Sequence, residues 1–128
     1  MPFAERRKHP RIRESIHCEV GVGSDIYSTQ TKNLSCGGTL CLLSQPVAPM
    51  TKLDMVLELP SVPGMAALPR QLVRCGGVVI RQDRMPLAQE PEFLTAIYFS
   101  DLKDSDRRRI GEFVLRSMLE HDRDRRRS

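Results

Sequence analysis

The sequence predicts a mainly β domain, a closed or nearly closed six-stranded antiparallel barrel followed by a C-terminal α-helix. Three observations predict this fold class. Short stretches of alternating apolar and polar residues recur along the chain, glycine and proline separate them, and the period becomes helical after Leu102. The length of 128 residues fits one domain with a modest core.

The first predicted hairpin begins at residue 15. One face of its first strand is apolar and the other polar, with Ile16, Cys18, Val20 and Val22 opposite His17 and Glu19. A turn at residues 23–25 leads into a return strand over residues 26–32, which is rich in threonine and tyrosine. The hairpin therefore delivers Asn33 and Ser35 to the base of the N-terminal segment.

Four further strands are predicted by the same reasoning, over residues 38–43, 53–59, 71–82 and 93–100. The pair Gly76-Gly77 predicts a bulge or sharp bend in the fifth strand. Residues 61–67, with Pro63-Gly64, predict a turn, and residues 83–92, with two prolines, a surface loop.

The last element is an amphipathic helix that Asp104 or Ser105 caps. Its apolar positions are Ile110, Phe113, Val114 and Met118. This stripe is expected to cover one end of the barrel, because barrel ends expose apolar side chains. A partner-docking helix is the alternative, favoured only if Leu115 and Leu119 form a second, exposed stripe. Residues 122–128 are interpreted as a basic tail.

The charge balance favours an anionic partner, since the net charge is +4 and the pI about 9.1. Nucleic acid, a nucleotide and a membrane surface all fit that sign. The chain has neither the roughly 20 continuous apolar residues of a membrane span nor a signal-peptide core, so a cytoplasmic location is expected.

No pattern indicates catalysis, a metal or a cofactor. The cysteines, at positions 18, 36, 41 and 75, form no CxxC pair, and His9, His17 and His121 are not spaced as metal ligands. Ser35 lacks the elbow of a hydrolase nucleophile, and no Walker loop is present. The sequence therefore predicts a binding protein rather than an enzyme.

Two motifs indicate what is bound. Arg7 and Arg11 are four residues apart, and a pair of guanidinium groups can hold phosphates or the O6/N7 edge of guanine. Pro10 keeps this segment extended. The chain has two other RxxxR pairs, but only this one precedes an N-x-S-x-x-G element.

The second motif consists of Asn33, Ser35 and Gly38. The amide of Asn33 can read a base edge, the Ser35 hydroxyl suits a phosphate or a base, and Gly38 allows a close backbone approach. The two motifs together are specific, although each alone is common.

The pairing of Arg7-x-x-x-Arg11 with Asn33-x-Ser35-x-x-Gly38 resembles the signature of PilZ domains, bacterial receptors for cyclic di-GMP. The strand entry after Gly37 and the run at residues 96–102 are also similar to the family. The resemblance implies a six-stranded barrel plus a C-terminal helix over residues 15–121, preceded by a basic arm at residues 1–14. It also implies cyclic di-GMP as the ligand, bound by Arg6, Arg7, Arg11, Asn33, Ser35 and Gly38.

The resemblance further implies how the signal would pass on. Binding orders the arm and presents a new surface to a downstream protein in motility, biofilm or exopolysaccharide control. Arg6 directly before the clamp accompanies two stacked ligands in this family. Position 33 is Asn rather than Asp, which leaves one acceptor where a carboxylate has two for the guanine N1/N2 edge.

Two alternatives remain open. One is a PilZ-type adaptor that works without a nucleotide, and the intact motif residues argue against it. The other is a nucleic-acid-binding barrel, which requires exposed aromatic side chains for base stacking. Most of the six aromatic residues lie where core packing is expected.

Overall fold

The computed structural model describes residues 10–60 and 70–127. In these residues six antiparallel strands close into a barrel in the order β1-β2-β3-β6-β5-β4, and one helix follows. This confirms the predicted fold class. The elements are β1 His17–Val22, β2 Asp25–Leu34, β3 Gly38–Leu43, β4 Lys52–Pro60, β5 Arg70–Arg84, β6 Phe93–Asp101 and α1 Asp104–Arg127.

The barrel core follows the alternation of the strands. In β1, Cys18 and Val20 have no exposed surface, whereas the neighbouring Glu19 is exposed. In β6, Ile97 and Phe99 are buried in the same way. Burial of each large apolar side chain stabilises the fold by about 1.5–3 kcal/mol.

Two strands depart from regular pairing. The register of β5 against β6 shifts between Gly76 and Gly77, which confirms the predicted bend, and again between Val79 and Arg81. β2 continues beyond its predicted end to Leu34 and carries a shift between Thr31 and Asn33 in its pairing with β3. This irregularity directly precedes the N-x-S-x-x-G motif, so Asn33 lies in a strand.

The helix α1 begins at Asp104, and its first backbone hydrogen bond runs from the Arg107 N–H to the Lys103 carbonyl (2.9 Å). Ile110, Phe113 and Val114 are buried, as predicted for a helix that covers the barrel. Among the described residues, no helix combines the length and the apolar composition of a membrane span.

Met118 was predicted on the buried stripe, and this was wrong. Its side chain is 43% exposed, and Ser117 is buried in its place. A helix turns 100° per residue, so position 117, seven residues after Ile110, returns to the same face more closely than position 118. The Ser117 hydroxyl donates to a carboxylate oxygen of Glu14 (2.8 Å), which satisfies the buried polar atom.

The ends of the chain also differ from the prediction. The helix continues to Arg127, through most of the segment interpreted as a tail, because residues 112–127 contain neither glycine nor proline. The basic arm was expected to stay outside the core, yet Ile12 is buried and joins the core. Arg6, Arg7 and the turn predicted at Pro63-Gly64 lie outside the described residues.

Candidate functional site

The segment before β1 is attached to the end of β2 by an isolated antiparallel bridge. The Ile12 N–H donates to the Leu34 carbonyl (3.0 Å), and the Leu34 N–H donates back to the Ile12 carbonyl (2.9 Å). Because the Ile12 side chain is buried, its neighbours Arg11 and Arg13 emerge on the opposite, exposed side. Antiparallel pairing places Arg11 beside Ser35 and Arg13 beside Asn33.

Arg11 and Arg13 present two exposed positive charges. Neither Arg11 nor Arg13 forms an ion pair with a residue of the described part of the chain. Two exposed guanidinium groups next to a backbone turn make a positive surface with unused donors, which suits a phosphate or a purine edge.

The turn from Ser35 to Gly38 is closed by its own hydrogen bonds. The Ser35 Oγ accepts from the N–H groups of Gly37 (3.1 Å) and Gly38 (3.2 Å), and the Ser35 N–H donates to the Gly38 carbonyl (3.0 Å). Ser35 is only 3% exposed. The hydroxyl that sequence reasoning assigned to a ligand therefore shapes the turn.

Gly38 is required by the close approach of its backbone to β6. A Cβ at this position would lie 2.2 Å from the Ile97 carbonyl oxygen, far inside van der Waals contact. The same turn is also fixed to β6 by the Phe99 N–H, which donates to the Gly37 carbonyl (2.9 Å). The close backbone approach predicted for Gly38 is thus made to β6.

Asn33 is fixed by one side of its amide. The Leu40 N–H donates to the Asn33 Oδ1 (3.1 Å), which identifies the oxygen side of the group. No described residue accepts from the amide nitrogen. Asn33 consequently offers two donors beside Arg13, and only one lone pair of its oxygen remains for a further donor.

The helix holds the same turn from the other side. Arg107 Nη1 donates to the Cys36 carbonyl (2.8 Å), and Cys36 Sγ lies 3.7 Å from the Arg107 carbonyl. Gly111 leaves room for the sulfur, since a Cβ there would lie 3.3 Å from Sγ. Burial raises the pKa of the Cys36 thiol, although the charge of Arg107 acts in the opposite direction.

An exposed aromatic ring adjoins the turn. Tyr98 of β6 is the register partner of Gly38, and its side chain is 54% exposed. The exposed ring therefore offers a face for stacking beside the turn.

The structure thus brings Arg11, Asn33, Ser35 and Gly38 together, while the predicted Arg6 and Arg7 lie outside the described residues. Sequence reasoning missed three neighbours of the turn, namely Arg13, Tyr98 and Arg107. For Arg13 and Tyr98 the signal was alternation about a buried residue, Ile12 or Ile97. No local signal identifies Arg107, because its contact depends on how α1 packs.

The described residues contain no group of three or more histidine, cysteine or acidic side chains arranged to hold a metal. The four cysteines are free thiols. The groups that the described residues place at the turn are guanidinium groups, an amide, backbone groups and an aromatic ring.

Comparison with known families gives one match. The family model of the PilZ domain covers residues 5–116, which is most of the chain. No curated protein matches the sequence.

Comparison with solved structures returns the same fold. The PilZ domain of YcgR from Escherichia coli, solved with c-di-GMP, superposes with a TM-score of 0.68 at 12% identity, covering 96% of this chain and 98% of that one. The Bacillus subtilis inhibitor of motility MotI/DgrA gives 0.74 at 20% identity, with coverages of 90% and 52%.

The MrkH–c-di-GMP complex of K. pneumonia gives a TM-score of 0.72 at 23% identity, with coverages of 93% and 54%. The chain therefore spans about half the length of MotI and MrkH.

Proposed function

This chain belongs to the PilZ domain family, and on that premise we propose that it is a receptor for cyclic di-GMP rather than an enzyme. The proposed site lies outside the barrel, between residues 11–13 and the turn at residues 35–38. Its ligand-binding residues are Arg6, Arg7, Arg11, Asn33, Ser35 and Gly38.

The observation that supports this proposal most directly is the bridge between Ile12 and Leu34. It fixes the backbone of Arg11 beside the turn, while the guanidinium stays exposed and without a described ion-pair partner. Cyclic di-GMP carries two phosphates and two guanines, and both groups accept bidentate hydrogen bonds from arginine. In this proposal Arg7 supplies the second guanidinium of the clamp.

The residues of the second motif divide the work in this proposal. The Asn33 amide nitrogen donates to a phosphate oxygen or to guanine O6/N7, because its oxygen already holds the Leu40 N–H. Ser35 and Gly38 act through the shape of the turn, since the hydroxyl is engaged internally. Tyr98 provides a stacking face for a base.

Two structural neighbours favour this ligand, because the YcgR domain and MrkH were each solved with c-di-GMP. We propose that ligand binding through Arg6 and Arg7 changes the conformation of the domain and the surface offered to a downstream protein. Arg6 adds a guanidinium for a second, stacked ligand. Control of motility is one fitting process, since MotI is an inhibitor of motility.

Isothermal titration calorimetry of the purified chain with cyclic di-GMP tests the proposal, with GTP as the nucleotide control. We expect saturable binding that Arg11→Ala reduces at least about tenfold, which is the loss of one charge-assisted contact of roughly 1.5–3 kcal/mol. Arg7→Ala tests the other half of the clamp. Arg74→Ala is the matched control, because Arg74 belongs to another RxxxR pair and is exposed on β5.

Equal losses in Arg11→Ala and Arg74→Ala would assign binding to general charge. Absence of binding at saturating nucleotide would favour the nucleotide-independent adaptor. A steep fall of DNA or RNA affinity with salt, in a protein that ignores cyclic di-GMP, would favour the nucleic-acid-binding barrel.

A further inference from the structure

The outer face of α1 carries an apolar stripe that the barrel does not cover. Leu115, Met118 and Leu119 lie at helical positions i, i+3 and i+4, and their side chains are 57%, 43% and 55% exposed. Isolated exposed apolar residues are ordinary, but three adjacent ones on one helical face form a contiguous patch. The exposure of Leu115 and Leu119 favours a partner-docking helix.

The stripe forms one wall of a groove. The groove has a volume of about 540 Å³, and the opposite wall is the bridged segment, with Arg11, Ile12 and Arg13. Along α1 the groove extends from Leu115 to Asp122, which is two helical turns, or about 11 Å. These dimensions match the apolar face of a short helix.

The charge of the groove specifies its occupant. The carboxylate of Glu14 is engaged by Ser117 (2.8 Å) and faces His121 (3.9 Å), and Asp122 also has a partner. Arg11 and Arg13, in contrast, form no ion pair with described residues. Among the described residues, the groove is therefore apolar on one side and carries two positive charges without an ion-pair partner on the other.

We propose that this groove binds an acidic amphipathic helix of a partner protein. The apolar face of that helix packs on Leu115, Met118 and Leu119, and its carboxylates pair with Arg11 and Arg13. A second copy of this chain fits poorly, because a symmetric contact would bring the same two arginines of each copy together. The docking surface goes beyond the proposed function and does not require a nucleotide.

The test uses stapled helical peptides with a fixed leucine stripe and either glutamate or lysine at each flanking position. Selection of this library on the full chain should enrich glutamate. Fluorescence anisotropy of the selected peptides should then show affinities at least about tenfold weaker for Leu119→Asp and for Arg13→Glu. Both side chains are exposed, so the variants should fold, which circular dichroism checks.

Leu72→Asp is the matched control, because Leu72 is a similarly exposed leucine (49%) on β5, away from the groove. It should leave peptide affinity unchanged. Equal enrichment of lysine, or equal affinity for Leu119→Asp and the unchanged chain, would overturn the proposal. So would a dimer in analytical ultracentrifugation, or binding to anionic lipid vesicles, that Leu119→Asp alone abolishes.

Arg11 lies both in this groove and in the proposed nucleotide clamp. We therefore expect saturating cyclic di-GMP to weaken peptide binding several-fold in the unchanged chain. Arg11→Ala removes the shared guanidinium, so its peptide affinity should already be lower and should not change further when the same nucleotide concentration is added. This part rests on the proposed function. It is overturned if peptide affinity stays constant in protein that calorimetry shows to be saturated with nucleotide.

Discussion

The turn at residues 33–38 and the segment at residues 10–14 lie side by side, but they are built differently. The N–H and the hydroxyl of Ser35 are both used within the turn, and the backbone of Gly38 is packed against β6. The segment is held by one bridge and leaves Arg11 and Arg13 exposed and without described ion-pair partners. The turn therefore supplies shape, whereas the segment supplies charge.

This comparison predicts opposite consequences for substitutions in the two regions. Changes in the turn should lower the free energy of unfolding, because they disturb packing and internal hydrogen bonds. Changes of exposed arginines in the segment should alter binding and leave stability nearly unchanged.

Gly38→Ala should have the largest effect on stability. Its Cβ would lie 2.2 Å from the Ile97 carbonyl oxygen, so β3 and β6 would have to separate, and we expect a loss of about 3 kcal/mol or more. Urea denaturation measures this loss. Gly21→Ala is the matched control, because its Cβ would meet nothing closer than 3.7 Å. Similar losses in both variants would contradict the packing account.

Ser35→Ala should cost about 2 kcal/mol, because it removes the acceptor of the Gly37 and Gly38 N–H groups. The midpoint of urea denaturation reports the change. Ser28→Ala, at an exposed position of β2, should cost less than about 0.5 kcal/mol. An unchanged midpoint for Ser35→Ala would show that the turn does not depend on the hydroxyl.

Ser117→Ala should cost about 1 kcal/mol, because it breaks the buried hydrogen bond that joins α1 to Glu14. Hydrogen exchange should show faster opening of the bridge amides of Ile12 and Leu34. Glu14→Gln keeps an acceptor oxygen and should lose less. Equal exchange rates in both variants and the unchanged chain would mean that α1 does not hold the segment in place.

Arg11→Ala should change the free energy of unfolding by less than about 0.5 kcal/mol, because the side chain is exposed and has no described ion-pair partner. The same protein should lose cyclic di-GMP binding in calorimetry. A large loss of stability would place Arg11 with the turn rather than with the ligand.

Much of the fold could be predicted because strand alternation and helical spacing are local properties. Cys18 and Val20 face inward in β1, and Ile110, Phe113 and Val114 face the barrel, as their spacing indicated. Met118 was misplaced because one residue of helical phase separates a buried from an exposed position. The motif residues at positions 11, 33, 35 and 38 were recognisable because their spacing in the sequence is distinctive.

The sequence by itself determined which faces are apolar and which residues form the two motifs. Only the tertiary structure decided that Ile12 pairs with Leu34, that Arg107 holds Cys36, and that the Ser35 hydroxyl serves the turn. These contacts join residues that are distant in sequence or depend on the exact path of the backbone. Alternation predicts the face on which a side chain lies, but strand register and helix docking decide which group it meets.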